Sequence, residues 1–576
     1  MPVAKSSSNS SHLSSERYGY DFVVSTTQGS INAMMKQYLL ANKKPEVCCC
    51  FINKDGEETQ VDLEEVLSKS NNTNPFMIPH NTDLNDLKIQ RINDARFIRG
   101  WRARLGIPQT SDPSEVRDLV EIGSSNEAVN FHLLCAEFQV VSYIEGARFS
   151  KPYWLNVSQP KNNPWIFSSR VNLAKRILDP GKSSDEVPID VKNKLKQLQK
   201  ETALTDFTIE QLFLDLDNAG LMDEGGKLEG IRDPSPEYTM LKETFLGSYF
   251  DQMKRDRMPL LSSTIRGPAQ NKPVAESTLQ LTNFIYNLSP YLGANGQPVE
   301  DPDPFQKKAA TLNYLCAADG HFLPARTPFT WNWIDVSDLR KFHGTIAIKR
   351  NCLAEYMGAK LAQHVLPSCI EPTFKMWKTF SEFGMTWDFT KTATEIKPVI
   401  TATGDKTLQI AWASPTYTED WSDRVSTLWA TAKSSYNLDL EFVANSNSMR
   451  ITQQFVLNFE AKEAWSRGKA DIVDQSRTDT YEISVNDRGK LEATCTPGSL
   501  INNSKDFKLK FSFFSDPGWA KSVQDKSYYL ETFKPHQIPL SFVQDYVFPG
   551  GKAFIFKDVT FSEYSDLVSH ITYADP

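Results

Sequence analysis

Tyr18-Gly19-Tyr20-Asp21-Phe22-Val23-Val24, followed closely by Ser30-Ile31-Asn32-Ala33-Met34-Met35-Lys36-Gln37-Tyr38-Leu39, is the stretch on which the fold turns. The first seven residues are aromatic and β-branched, as a strand requires. Ile31, Met34, Met35, Tyr38 and Leu39 then fall at i, i+3, i+4, i+7 and i+8, one apolar stripe along a helix, with Asn32, Lys36 and Gln37 opposite. Thr27 or Ser30 is placed to cap that helix, and Pro45 lies beyond its end. The layout returns roughly 320 positions later. Phe342-His343-Gly344-Thr345-Ile346-Ala347-Ile348-Lys349 reads as a strand, Leu353, Tyr356, Met357, Leu361 and Val365 follow at helical spacing, and Pro367 stops the helix. Two such strand-then-helix units predict a duplicated domain plan.

After Pro367 the chain is β in character. Residues 386–390, 397–403, 407–414, 438–443, 449–459, 480–485 and 508–514 are rich in Thr, Val, Ile and aromatics, and Asp487-Arg488-Gly489-Lys490 suits a hairpin turn. Ser and Thr on one side of such strands predict an antiparallel sheet, solvated outside and apolar inside. Between the two units, residues 48–170 lean to β structure, with 131–144 the clearest strand. Residues 187–202 form a charged helical segment, and 289–305 read as a linker or long surface loop. Residues 1–17 are Ser-rich with little to bury, which predicts a disordered tail. The expected division is therefore a tail at 1–17, a first domain at 18–335 with a helical insertion near 187–225, and a second at 336–576.

The 576 residues are 40% hydrophobic and 23% charged, an ordinary globular composition that excludes a collagen-like fibre or a disulfide-stapled miniprotein. The net charge of -8 argues against general nucleic-acid affinity. There is no apolar run long enough to cross a membrane as a helix, and the first residues lack the apolar core of a signal peptide. Eight cysteines, three of them consecutive at Cys48, Cys49 and Cys50, read as reduced thiols, so a cytoplasmic location is expected.

Several segments together resemble the accessory proteins encoded beside clostridial neurotoxins, the OrfX family and its larger relatives, within the tubular lipid-binding (TULIP) superfamily. Tyr18-Gly19-Tyr20-Asp21 with the Ile31-Asn32 helix is similar to the family's amino-terminal signature, with Tyr20 standing where the family has Trp. Residues 208–219 resemble its central Gln-Leu…Asp-Leu segment, and 245–250 running to 258–261 resemble the helix and strand that follow. Ile346-Ala347-Ile348-Lys349-Arg350 resembles the second-domain entry. The resemblance implies an α+β, β-rich fold of two TULIP-like domains, each a highly curved antiparallel sheet wrapped around a long helix. It also implies an apolar interior that can open into a groove for acyl chains.

The expected function is therefore non-enzymatic binding of a lipid or another elongated apolar ligand, as a carrier or assembly component. No cofactor is expected and no nucleic acid. A protein partner or homo-oligomer and at most peripheral membrane contact are open. Ile31, Met34, Met35, Tyr38, Tyr356 and Met357 are the candidate groove lining, against the plainer reading of simple core packing. Arg96, Arg99, Arg102 and Arg104, interleaved with Phe97 and Trp101, form the densest basic cluster and a candidate anionic-headgroup patch. The plainer reading is a solvated face paired with nearby acids. No metal site is expected from motifs: Asp215-x-Asp217 fails as a calcium loop, because Ala219 and Gly226 stand where ligands belong. The alternative is an enzyme of specialised metabolism using the apolar cavity, with His321, His343 and His364, helped by Asp319, converging on a metal. A third reading is a toxin-accessory or protein-interaction module with a packed interior. No GxSxG elbow, P-loop or GxGxxG is present.

Overall fold

A computed structural model describes residues 7–41, 46–108, 116–123, 127–146, 151–161, 163–178, 187–202, 206–214, 227–232, 235–236, 238–239, 241, 260–268, 271–273, 276–378, 383–391, 399–403, 407–422, 427–463, 466–508, 530 and 542–573. The strand pairings that build its sheets are antiparallel.

A seven-stranded sheet holds the centre. Leu281–Ser289, Thr311–Ala318, Phe22–Thr27, Gly344–Ile348, Leu567–Tyr573 and Phe554–Phe556 lie side by side, and Thr560–Phe561 adds to Leu567–Tyr573. The two entry strands are direct neighbours: Phe22 pairs with Ile348, Val24 with Ile346 and Thr26 with Gly344. A Cβ on Gly344 would overlap the Ser25 carbonyl oxygen, so glycine is what lets the strands approach there. Because the pair is antiparallel, helix Gln28–Ala41 leaves from one end and helix Arg350–Val365 from the other. Backbone bonds close both ends, from Thr27 N to His343 O at 2.9 Å and from Lys349 N to Asp21 O at 2.8 Å.

Strand alternation gives this sheet two faces. Phe22, Val24, Tyr314, Cys316, Ile346 and Ile348 join one continuous core that runs into sheets from both halves of the chain. Val23, Leu315, Ala347 and Val568 face the other way, under a layer of Tyr18, Tyr20, Phe329, Trp331 and Trp333. Those rings meet edge to face, with 4.8 Å between the centroids of Phe329 and Trp333 and 5.0 Å between Tyr18 and Trp331.

An eleven-stranded sheet follows the order Val547–Pro549, Leu260–Arg266, Thr208–Leu214, Ile166–Leu178, Ala128–Ile144, Phe97–Leu105, Glu46–Lys54 and Glu57–Val61, with three short strands attached. Helices Leu63–Lys69 and Leu87–Asp94 cover part of its outer face by seating Val66, Ile89 and Ile92 on Cys50, Ile52, Phe97, Val141 and Trp154. Burial on both faces explains the unbroken apolar run Cys48–Ile52 in strand Glu46–Lys54.

An eight-stranded sheet follows the order Val399–Thr403, Thr407–Ala413, Thr427–Phe442, Ser448–Glu463, Ser466–Val485 and Leu491–Thr496, with Tyr417–Ser422 and Ile501–Asn502 attached. The strands expected at 438–443, 449–459 and 480–485 are the ends or middles of strands 16, 16 and 20 residues long. Most of their Ser, Thr and charged residues sit on the solvated face; buried Ser434, Glu460 and Asp479 are hydrogen-bonded, and none breaks the strands. Helix Arg350–Val365 lays Leu353, Tyr356, Met357, Leu361 and Val365 against this sheet, close to Leu408 through Gly358. The two entry helices have 14 and 16 residues, or about 21 and 24 Å, shorter than the long helices the resemblance implied. No sheet closes into a barrel among the described residues. No described helix is long and apolar enough to cross a membrane.

Several expectations need correction. Of the polar side of helix Gln28–Ala41, Gln37 is exposed while Asn32 and Lys36 are turned to neighbouring chain. Thr27 caps the helix, its Oγ1 accepting from Ser30 N at 3.1 Å. Asn32 donates to Val120 O at 2.7 Å and accepts from Val120 N at 2.9 Å, and Lys36 reaches Val116 O and Asp118. Of the two readings of 289–305, the surface loop is the one seen, since the segment joins two neighbouring strands of the central sheet. Residues 215–225 of the insertion, 245–259 of the resemblance and 509–514 of the last expected strand lie outside the described residues.

The Ser-rich segment from Ser7 onward is docked, not free. Leu13 and Ser11 are fully buried, and His12 stacks on Tyr564 at 3.7 Å. Its anchor is Asp566, which accepts from Leu13 N at 2.6 Å, Ser11 Oγ at 3.0 Å, Ser14 Oγ at 3.2 Å and Arg350 N at 3.0 Å. One carboxylate thus caps the second entry helix and holds the amino-terminal segment. Burial outweighs these donors and pushes the Asp566 carboxyl up to about 6. An acid raised above its unfolded value of about 3.9 takes up a proton on folding. Its stabilising contribution is full below about pH 4 and is lost as pH rises through about 6. The expected loss is on the order of 3 kcal/mol across that window. Asp566→Asn should flatten this pH dependence and, by turning an amide N–H toward a donor, cost about 1–3 kcal/mol. Thermal unfolding across the window, with proteolysis of residues 7–17, checks both; an unaltered pH profile would remove Asp566 from this role.

Candidate functional site

The expected groove residues are placed as core. Ile31, Tyr356 and Met357 are buried in the main cluster, and Met35 packs on its edge. Met34 is half-buried with its sulfur against Gly550, where glycine leaves room for it. The Tyr38 side chain lies outside the described residues. The two helices serve different sheets, so the six residues do not form a single lining.

The length of the eight-stranded sheet creates a different apolar surface. A 16-residue helix spans about 24 Å, whereas strands of 16 and 20 residues span roughly 53 and 66 Å. The helix packs chiefly on Val399–Thr403, Thr407–Ala413 and the near part of Thr427–Phe442. Beyond it, the inner face continues through Ala432, Phe459 and Ala470, paired across three strands, and then Ala430, Ala461 and Gly468. All of these are buried. Small residues make this floor low; strand Ile370–Lys378 lies over it, with Ser434 Oγ donating to Ile370 O, and aromatic rings stand between. Phe507 lies 4.8 Å from Phe459, and Phe374 lies 6.1 Å from Phe459 and 5.0 Å from Tyr417. A ring of Phe507 and the Lys508 carbonyl fill the space a Cβ on Gly468 would need. The outer face of the same sheet carries a shallow hollow of about 460 Å³ over Ala411, Ala413, Ser435, Asn437 and Val456.

The basic cluster is compensated. Arg99 makes two bonds to Glu58, at 2.7 and 3.0 Å. Arg104 meets Glu137 at 3.1 Å and Glu46 at 3.5 Å, Arg102 meets Gln139 at 2.5 Å and Glu46 at 3.8 Å, and exposed Arg96 lies 3.7 Å from Asp55. These are cross-strand neighbours: Glu46 pairs with Arg104, and Arg104 with Glu137. Phe97 and Trp101 point into the core, so they are not available as interfacial anchors. Arg102 and Arg104 border a polar cavity of about 210 Å³ with Glu46, Glu137, Gln139 and Lys161.

The three histidines do not converge. His321 sits in the turn after Thr311–Ala318, beside Asp21, at the end of the entry-strand pair where the second helix begins. His343 is at the opposite end, roughly 20 Å away along the strand, where its Nδ1 accepts from Tyr573 N at 3.0 Å and its ring stacks on Tyr573. His364 lies three turns along the helix from Cys352, about 18 Å. Asp319 is taken up by the chain at 277–279, accepting from Ser277 Oγ, Thr278 N, Thr278 Oγ1 and Leu279 N.

His321 instead meets residues that sequence reading did not connect with it. Its Nδ1 lies 3.0 Å from Asp21 Oδ2, and that oxygen also accepts from Ala318 N at 2.8 Å. The bond to Asp21 holds the imidazole pKa above its ordinary value. Ligand atoms of Asp21, His321 and Cys352 all lie within 4.8 Å of one another. Asp21 and Cys352 are buried and His321 is about one-third exposed. Glu355 follows Cys352 by three positions on the same helix, and burial raises its carboxyl pKa.

No family model matches the chain, and no curated protein matches it. Among solved structures, P47 of Clostridium botulinum E1 is similar over 96% of this chain and 98% of its own, at 10% identity and a TM-score of 0.42. A lipopolysaccharide binding protein is similar over 96% of this chain and 99% of its own, at 11% identity and a TM-score of 0.25.

Proposed function

We propose that this chain is a non-enzymatic binder of an elongated apolar molecule, such as a lipid acyl chain, acting as a carrier or as a component of an assembly. The observation that carries the reading is the mismatch between the second entry helix and its sheet. About 30 Å of inner apolar face outruns the helix. It is floored by Ala430, Ala461 and Gly468 and roofed by Phe374, Tyr417 and Phe507. A guest threaded there would displace ring contacts and the bonds that tie strand Ile370–Lys378 to the sheet, such as Tyr417 Oη to Phe374 O, and each Å² of apolar area it covered would contribute about 25 cal/mol. The sequence resemblance to the TULIP superfamily supports the same reading, with 18–335 and 336–576 as two such units sharing the central sheet. The eight cysteines are free thiols, which suits a reducing compartment such as the cytoplasm.

Organic extraction of purified protein followed by mass spectrometry is expected to release an apolar compound, and the stripped protein is expected to take up a fluorescent fatty acid. Ala461→Trp, which fills the floor, should abolish uptake while circular dichroism stays unaltered. Ala430→Leu, a smaller intrusion, should weaken it. A clean extract together with no uptake would leave the interior as packed core and the chain as an interaction module.

Membrane contact, on this reading, does not run through the arginine strand, because Glu46, Glu58 and Glu137 offset its charge. The wild-type protein should bind anionic and neutral vesicles alike. Glu46→Gln with Glu137→Gln should gain anionic binding, by about 1 kcal/mol for each charge unmasked. Wild-type anionic binding that disappears in Arg102→Ala with Arg104→Ala would contradict this.

A further inference from the structure

We propose that Asp21, His321 and Cys352 form a binding site for a divalent cation of borderline softness, Zn²⁺ being the best match, at the junction of the two entry units. The three side chains come from separate places in the chain: the residue before the first entry strand, the turn after Thr311–Ala318, and the first turn of the second entry helix. Chain pairing alone brings them together, since Lys349 N donates to Asp21 O at 2.8 Å and Asp21 N donates to Cys316 O at 2.9 Å.

The donor set is one carboxylate oxygen, one imidazole nitrogen and one thiol sulfur, a combination that suits zinc and not magnesium or calcium. Metal–ligand bonds of about 2.0–2.3 Å put tetrahedral ligand atoms roughly 3.3–3.7 Å apart. The present ligand atoms lie within 4.8 Å of one another, so closure needs a movement of about 1 Å. His321, partly exposed in a turn, is the member free to make it. Asp21 is oriented already, by the bond that its Oδ2 accepts from Ala318 N. Binding releases the Cys352 thiol proton to solvent as sulfur becomes a thiolate ligand. A water supplies the fourth position.

The surroundings favour a cation. Asp21, Asp319 and Glu355 are the acids whose charge acts on Cys352, against Lys349 as the opposing base. The same three acids act on the His321 imidazole, with Asp319 held in place by the 277–279 loop. A metal here would tie residue 21 to residue 352, and so the first entry unit to the second. The site lies at the central sheet, away from the Ala430–Ala461 floor, so it stands independently of apolar ligand binding.

Zinc content after dialysis of full-length protein against micromolar Zn²⁺ tests the site. About one equivalent is expected to remain, with a raised Tm, because a ligand that binds only the folded chain stabilises it. Co²⁺ substitution in the wild-type protein should show a sulfur-to-cobalt charge-transfer band, a readout that needs no variant. Cys352→Ser and Asp21→Asn should each lose the metal and the Tm shift, whereas His343→Ala and His364→Ala should keep both. Absence of retained zinc, absence of the charge-transfer band, or retention unaltered in Cys352→Ser would each overturn the assignment and leave Asp21 and His321 as an ion pair.

Discussion

The edge-to-edge pairing of Phe22–Thr27 with Gly344–Ile348 is the constraint on which the rest of the molecule depends. Two β–α units joined through antiparallel strands are related by a local two-fold, so their helices must leave in opposite directions. Each helix then needs a sheet of its own to bury its stripe, and the chain supplies one from each half. The same pairing fixes two polar clusters, one at each end of the strand pair. Asp21, His321 and Cys352 gather where Lys349 meets Asp21; Thr26, Ser30, His343 and Tyr573 gather where Thr27 meets His343. Gly344 is the weak point, since any side chain there collides with the Ser25 carbonyl.

The two entry units were legible because their signals are local. A β-branched run followed by a stripe at helical spacing shows within about twenty residues. Their mutual pairing was not legible, because a strand edge carries no mark of its partner. The docking of the Ser-rich segment was hidden for a related reason. Low hydrophobicity predicts disorder when burial is the driving force, but here Asp566, 555 positions from Ser11, supplies buried hydrogen-bond acceptors instead. The long strands were read short because polar residues such as those in Ser466–Val485 look like turns until their alternation with buried Ile472, Gln475, Tyr481 and Ile483 is seen.

Site residues divide along the same line. The arginine cluster was visible as a density of one charge, while its acids lie 33 to 41 positions away for Glu137 and Glu58 and are revealed only by register. Spacing brought three histidines to notice, yet topology sends His343 and His364 away and gives His321 partners from positions 21 and 352. A metal set assembled across three elements has no motif to find, whereas one on a single helix does.

The difference between the two entry helices bears on what each half can do. The first helix is held on its polar side as well as its apolar one, by paired bonds between Asn32 and Val120 and by Gln28 to Ile122 N. Opening a groove along it would break several buried hydrogen bonds, each costly to leave unmade. The second helix, by contrast, ends while its sheet continues, and the remainder is covered by strand Ile370–Lys378 and by aromatic rings, tied down by few hydrogen bonds such as that from Tyr417 Oη to Phe374 O. If a guest enters, the second half is therefore the half that can yield to it, because fewer buried polar bonds hold its cover. That asymmetry is why the duplicated plan need not mean duplicated sites.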